Sequence, residues 1–213
     1  MVDFQSRDTR SPLSDDEVDE VDEADDSAAD EDRPSQDRHD HEHDHSDHDH
    51  HAHDRETLGA AVVTVSSSRS LSDDPSGDAI VEGLEAEAHE VVSRDLVGDD
   101  FDTVQGTVDA LIGRDDVDVV VTTGGTGVTP DDVTIGAVEP LFDKRLPGFG
   151  ELFRSLSFEE IGTKIVGTRA TAGVAQGTVV FCLPGSENAA RLGVEEIIVA
   201  EAGHLAGLAN REG

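Results

Sequence analysis

Val117-Asp118-Val119-Val120-Val121-Thr122-Thr123-Gly124-Gly125-Thr126-Gly127, with Asp131-Asp132 close behind, carries the architectural signal of this chain. Its apolar, β-branched half reads as a strand buried on both faces of a parallel sheet, and it empties into a Gly-Gly-Thr-Gly turn ahead of a helix. Open α/β sheets bind ligands in the crevice at the carboxyl ends of their strands. Glycines there let backbone N–H groups approach an anion closely, which makes phosphate the leading candidate ligand. The same residues also suit a tight strand-to-helix turn that needs only positive φ at its glycines, and at this point both readings stand.

On either side of the turn, strand and helix patterns alternate. Leu58 to Val65 is an apolar run ending in Ser66-Ser67-Ser68-Arg69. After the turn-rich Asp73-Asp74-Pro75-Ser76-Gly77, the spacing of Ile80, Val81, Leu84 and Ala88 predicts a helix over 78–88. His89 to Val97 reads as a second strand closed by Gly98-Asp99-Asp100, and Val104, Val108, Leu111 and Ile112 carry a helical period over 101–112. Further helices are predicted over 132–142 and, beyond a break at Pro147-Gly148, over 150–161. Residues 162–177 mix Gly, Thr and Val without a period and read as short strands or loop. Thr178 to Leu183 is a last buried strand ending at Pro184-Gly185-Ser186, followed by helix over 187–208 with a break at Gly203. This order predicts a doubly wound, mostly parallel sheet in one domain over 58–213.

Composition narrows the partners. The chain has 213 residues and a formal net charge of -34, with 49 acidic residues against 15 basic ones. Such a polyanion is repelled by nucleic acid, whose binding relies on lysine and arginine neutralising phosphates. No segment approaches the roughly 18 consecutive apolar residues of a spanning helix, and no basic and apolar leader stands at the amino terminus, so a soluble, cytoplasmic protein is expected. An acid-rich, lysine-poor composition suits a halophilic setting, because concentrated salt screens the self-repulsion, and it predicts loss of structure or assembly at low salt. Cys182, the one cysteine, lies in an apolar run without a neighbouring base and reads as a core filler.

Residues 1–57 form a separate compositional segment. It is poor in apolar residues and strongly acidic, so it cannot bury enough surface to offset the entropy of ordering and is read as a disordered tail. His39, His41, His43, His45, His48, His50, His51 and His53 alternate there with carboxylates, a pattern able to bind Ni, Zn or Cu loosely, or simply to remain a solvated low-complexity tail.

Four turns, 66–69, 98–100, 122–132 and 184–187, follow strands that should point to one edge of the sheet. They bring hydroxyls, backbone donors and the carboxylates of Asp99 and Asp132 to a common rim. Carboxylates among phosphate-binding loops call for a bridging cation, for which Mg2+ is the usual choice. The alternative is that both aspartates are helix N-caps.

A wider set of motifs resembles a known family. Thr122 to Gly127, Asp132-Val133-Thr134, Pro147-Gly148-Phe149-Gly150-Glu151-Leu152-Phe153-Arg154, Leu156 to Gly162 and Pro184-Gly185-Ser186 occur in the order and at the separations of the molybdopterin-binding family, in its molybdenum cofactor biosynthesis protein B branch. The likeness covers about 58–211 and leaves out the tail. It implies a three-layer α/β fold assembled as homotrimers or hexamers, and contact with other molybdenum cofactor biosynthesis proteins. It also implies adenylylation of molybdopterin, with ATP as co-substrate and Mg2+ required, releasing pyrophosphate. Asp99 and Asp132 match the two acidic residues of that chemistry. Thr122, Thr123, Gly124, Gly125, Thr126 and Gly127 would hold the pterin end or its phosphate. Ser66, Ser68, Arg69, Pro184, Gly185 and Ser186 would line the nucleotide region, and Gly148, Glu151 and Arg154 would close one wall. The chain departs from many relatives at Ser67, where they carry Asp, at Ile135, where they carry Pro, and at 128–131, which lacks an arginine pair. A non-catalytic molybdopterin-binding or carrier protein is the alternative activity.

Overall fold

The computed structural model describes residues 55–211. The expected disorder of the tail, its nickel, zinc or copper binding and nearly all of the segment assigned to it lie outside the described residues. Strands β1 (Gly59–Val65), β2 (Glu90–Val97), β3 (Val119–Thr123), β4 (Lys144–Arg145), β5 (Thr171–Ala175) and β6 (Thr178–Leu183) form one sheet in the order β2-β1-β3-β6-β5-β4. β1 pairs in parallel with β2 and β3, and β3 with β6, whereas β5 runs antiparallel to both β6 and β4. Helices α1 (Pro75–Ala86), α2 (Phe101–Ile112), α3 (Thr134–Val138), α4 (Pro147–Ile161), α5 (Glu187–Gly193) and α6 (Val199–Ala209) cover it on two faces. The result is a three-layer, mostly parallel α/β fold.

The period of two along each strand divides the core. Ala60, Val62, Val119, Val121, Val179 and Phe181 face one side, where α1, α4 and the α5–α6 helix supply Ile80, Leu84, Phe153, Val194 and Ile198. Ala61, Val63, Val120, Val180 and Cys182 face the other, against Val104, Val108 and Leu111 of α2 and Ile135 and Val138 of α3. All five residues of β3 are buried, as a central strand covered on both faces must be. Each fully buried Val, Leu, Ile or Phe among them contributes about 1.5–3 kcal/mol relative to exposure. Cys182 shares this core, and burial pushes its thiol up to about 12, which suits filler rather than nucleophile.

Several boundaries differ from the sequence reading for identifiable reasons. α1 starts at Pro75 rather than 78, because Asp74 accepts a hydrogen bond from the Gly77 amide and proline suits the first helical position. The Pro147-Gly148 pair likewise opens α4 instead of breaking the chain. α3 is shorter than 132–142 and passes into a 3-10 turn, Glu139–Leu141, where Pro140 supplies no amide donor. Two-residue β4 is too short to leave a period. The predicted break at Gly203 is corrected: α6 runs through it, and the irregularity is a π turn at Val194–Ile198. Gly203 serves a close approach, since a Cβ there would lie 2.6 Å from the carbonyl oxygen of Arg55. Among the described residues no helix is long and apolar enough to cross a membrane.

Candidate functional site

Parallel pairing sets the ends of β1, β2, β3 and β6 level: Val65 pairs with Val97, and Thr123 with both Thr64 and Leu183. At this edge lies a cleft of about 540 Å³ lined by Ser66, Ser68 and Arg69 after β1, Gly124 to Gly127 and Asp132 after β3, Pro184 and Gly185 after β6, and Lys164, Gly167 and Thr168.

The glycine turn is fixed from behind. Gly124 and Gly125 have φ of 102° and 64°, the left-handed region that glycine enters without strain. A Cβ at Gly124 would lie 2.2 Å from the Val65 carbonyl oxygen, and one at Gly125 2.3 Å from Thr134 Oγ1. Buried Thr134 donates its hydroxyl to the Gly124 carbonyl at 2.7 Å and its amide to the Gly125 carbonyl at 3.0 Å, while the Gly124 amide donates to Leu183 of β6 at 3.0 Å. Arg169 holds the other side. Its amide donates to the Thr126 carbonyl at 2.9 Å, Nε to the Gly127 carbonyl at 2.7 Å and Nη2 to the Asp132 carbonyl at 2.7 Å. A loop pinned at both flanks is preorganised for an anion.

Arg69 joins the first and last loops across the cleft. Nη2 donates to the Gly185 carbonyl at 2.9 Å and Nη1 to Ser76 Oγ at 2.6 Å, with the wholly buried carboxylate of Asp74 3.5 Å away. Asp74 also accepts from Thr64 Oγ1 at 2.6 Å and from Arg94 at 3.1 Å. Burial pushes its pKa up, yet the bonds from Thr64, the Gly77 amide, Arg94 and Ser76 outweigh this and hold it below the ordinary carboxylate value.

Neither candidate aspartate is a helix N-cap. That role falls to Asp100 for α2 and to Val133, without a side-chain bond, for α3. Asp132 Oδ2 accepts from the Thr129 hydroxyl at 2.6 Å and its amide at 2.7 Å. Burial opposes ionisation of Asp132, but the bonds from Thr129 and the Gly127 amide, with the charge of Arg169, lower its pKa, so Asp132 presents an ionised carboxylate to the cleft. Asp99 lies behind the lining and reaches it through Ser67, whose neighbours Ser66 and Ser68 form the wall.

Other residues singled out from the sequence lie off the cleft. Thr122 and Thr123 are buried in β3, where the Thr123 hydroxyl donates to the Pro184 carbonyl. Ser186 caps α5 by accepting from the Ala189 amide. Gly148 and Glu151 sit on α4 and are not among the lining residues, and Arg154 donates to the Ala170 carbonyl at 3.3 Å. Sequence reasoning in turn misses Lys164, Gly167, Thr168 and the loop-holding Arg169. The only signal there is charge, since Lys144 and Lys164 are the only lysines in an acidic chain.

The fold and this cleft place the chain among the probable molybdopterin binding domains, whose family model matches residues 61–204. The molybdenum cofactor biosynthesis protein B of Halalkalibacterium halodurans is 41% identical over 151 residues, spanning 70% of this chain and 89% of its own. A crystal structure of molybdenum cofactor biosynthesis protein B superposes with a TM-score of 0.71 at 41% identity, covering 74% of this chain and 99% of that one. The tungsten cofactor synthesizing protein MoaB from Pyrococcus furiosus gives 0.67 at 43% identity, with the same coverages of 74% and 99%. The chain belongs to the molybdenum cofactor biosynthesis protein B family.

Proposed function

We propose that the cleft binds molybdopterin and adenylylates it. A terminal phosphate oxygen of the pterin attacks the α-phosphorus of ATP, the bond to the bridging oxygen breaks, and pyrophosphate leaves. The observation that supports this reading is the meeting, at one sheet edge, of a preorganised glycine loop, the ionised Asp132 and the cationic Arg69 and Lys164. Such a transfer needs alignment and charge neutralisation more than a protein nucleophile. The Thr126–Gly127 segment seats one phosphate, and Ser66, Ser68 and Arg69 flank the phosphorylated partner.

The donors fit magnesium. Among the described residues no group of three or more acidic, His or Cys side chains forms a cage, but Mg2+ commonly takes one or two carboxylates and completes its shell with water and phosphate. Asp132 is the carboxylate that would hold it, while Asp99, tied to Ser67 behind the lining, would add negative charge without lining the cleft. When bound, the ion neutralises phosphoryl charge and orients the oxygens. Assembly belongs to the same reading: Phe158 and Ile161, 51% and 47% exposed on α4, offer an apolar surface that a second copy would cover in a trimer.

One observation favours binding without turnover, namely that Asp99 does not line the cleft and commits a carboxylate oxygen to Ser67. The full chain incubated in high salt with molybdopterin and MgATP separates the two. Adenylylated pterin and pyrophosphate are expected, with at least about a 100-fold loss of pyrophosphate release in Asp132→Asn. Tight pterin binding with no pyrophosphate would establish the carrier reading instead.

A further inference from the structure

The guanidinium groups of Arg69, Arg169 and Arg154 already make hydrogen bonds to the fold. Arg69 bonds Ser76 and the Gly185 carbonyl, and its charge is offset by buried Asp74. Arg169 spends Nε and Nη2 on the Gly127 and Asp132 carbonyls. Arg154 bonds the Ala170 carbonyl. These three arginines hold loops in place. Lys164 differs: it is exposed, it lines the cleft, and among the described residues its side chain makes no hydrogen bond or ion pair. It stands on the 3-10 turn Gly162–Gly167, which Ile165 alone anchors in the core. Gly162 has φ of 58°, and a Cβ at either terminal glycine would meet nothing within 4 Å. Gly167 and Thr168, next along the chain, line the same wall.

We propose that Lys164 and the Thr168 hydroxyl form a second phosphoryl subsite at the outer lip, which takes the polyphosphate end of a nucleotide. The inference rests on the cleft's reading as a site for phosphorylated ligands and adds where the second charged group sits. A ligand carrying several negative charges enters a chain of net charge -34 past the carboxylate of Asp132. It needs a cation whose donors are not already spent on holding loops, and a lysine on a flexible stem is a point charge that can follow a phosphate. A single phosphate seated on the glycine loop gains little from it, whereas pyrophosphate spans both places.

The test is calorimetric titration of the full-length protein with inorganic pyrophosphate and with orthophosphate, at two salt concentrations. Lys164→Ala should weaken pyrophosphate binding about 10- to 100-fold, and orthophosphate binding by no more than about 3-fold, the scale set by removing one charge-assisted hydrogen bond. Lys164→Arg should restore most of the affinity. Lys144→Ala, at the far edge of the sheet on β4, should change nothing. The dependence of pyrophosphate affinity on salt should be shallower in Lys164→Ala than in the parent. Equal pyrophosphate affinity in parent and Lys164→Ala, equal losses for both anions, or no pyrophosphate binding by the parent would each overturn the subsite. Pyrophosphate held through Lys164 without any adenylylated pterin would instead remove the adenylylation reading and leave the subsite standing.

Discussion

Asp99 and Ser67 exchange two hydrogen bonds: the Ser67 amide donates to Asp99 Oδ2 at 2.8 Å, and the Asp99 amide donates to the Ser67 hydroxyl at 3.0 Å. The pair ties the loop after β2 to the loop after β1, so Asp99 braces the cleft wall, and under the proposed adenylylation its charge would serve the site as well. Asp99→Asn keeps a side-chain oxygen for the Ser67 amide and removes only the charge. Its stability should stay within about 0.5 kcal/mol of the parent, while pyrophosphate release falls about 100-fold. Asp99→Ala also strips the amide of its acceptor and should cost about 1 kcal/mol more. Thermal melts and pyrophosphate release read the two effects apart; parental turnover in Asp99→Asn would reduce the residue to a loop clamp.

Asp74 predicts an acid limb to stability. Its folded pKa is depressed, so the stabilisation it gives is complete above the ordinary value of 3.8 and is lost as pH falls through the lower folded value. At neutral pH, Asp74→Asn leaves Arg94 and Arg69 facing a neutral amide in a buried network and should cost about 3 kcal/mol, or about 6–12 °C in Tm for a domain of this size. The gap between parent and variant should narrow below about pH 4 as the parent's own carboxyl is protonated. A constant gap across that range would assign the loss to packing.

The glycines of the chain divide by geometry. Gly124→Ala places a Cβ against the Val65 carbonyl at positive φ. It should cost at least about 1–3 kcal/mol from the backbone alone, with loss of phosphate binding as the loop shifts. Gly148→Ala in the first turn of α4 meets no atom within 4 Å and should stabilise slightly, by up to about 1 kcal/mol. Denaturant melts of the two variants check both signs.

How far the residues announced this arrangement depends on whether the cause was local. β3 and its glycine turn were legible because a both-faces-buried strand and positive φ leave marks in adjacent residues. β6 and α2 were legible for the same reason, the first as a continuous buried apolar run and the second through an intact helical period. Asp74 gave no such mark: it reads as one more turn residue, and its burial follows only once Thr64, Arg69 and Arg94 converge on it from β1, its loop and β2. Lys164 and Arg169 were hidden likewise, because segment 162–177 has no period and meets the cleft only through the fold. Arg154, by contrast, lies in a motif of the resemblance, but its guanidinium bonds the Ala170 carbonyl and it does not line the cleft.

His89 supplies a pH dependence of its own. It is 8% exposed at the entry to β2, following Ala88 at φ 62°, and among the described residues neither ring nitrogen has a hydrogen-bond partner. Burial lowers its pKa below 6.5 against the raising influence of Glu87. The folded state therefore takes up its proton later than the unfolded chain, so this stability is complete above about pH 6.5 and is lost as pH falls through that value toward the lower folded one. His89→Leu removes the titration and breaks no hydrogen bond. The fall in Tm between about pH 7.5 and 5.5 should be smaller in the variant than in the parent. Parallel Tm profiles over that interval would mean that the imidazole is protonated as readily inside the fold as outside it.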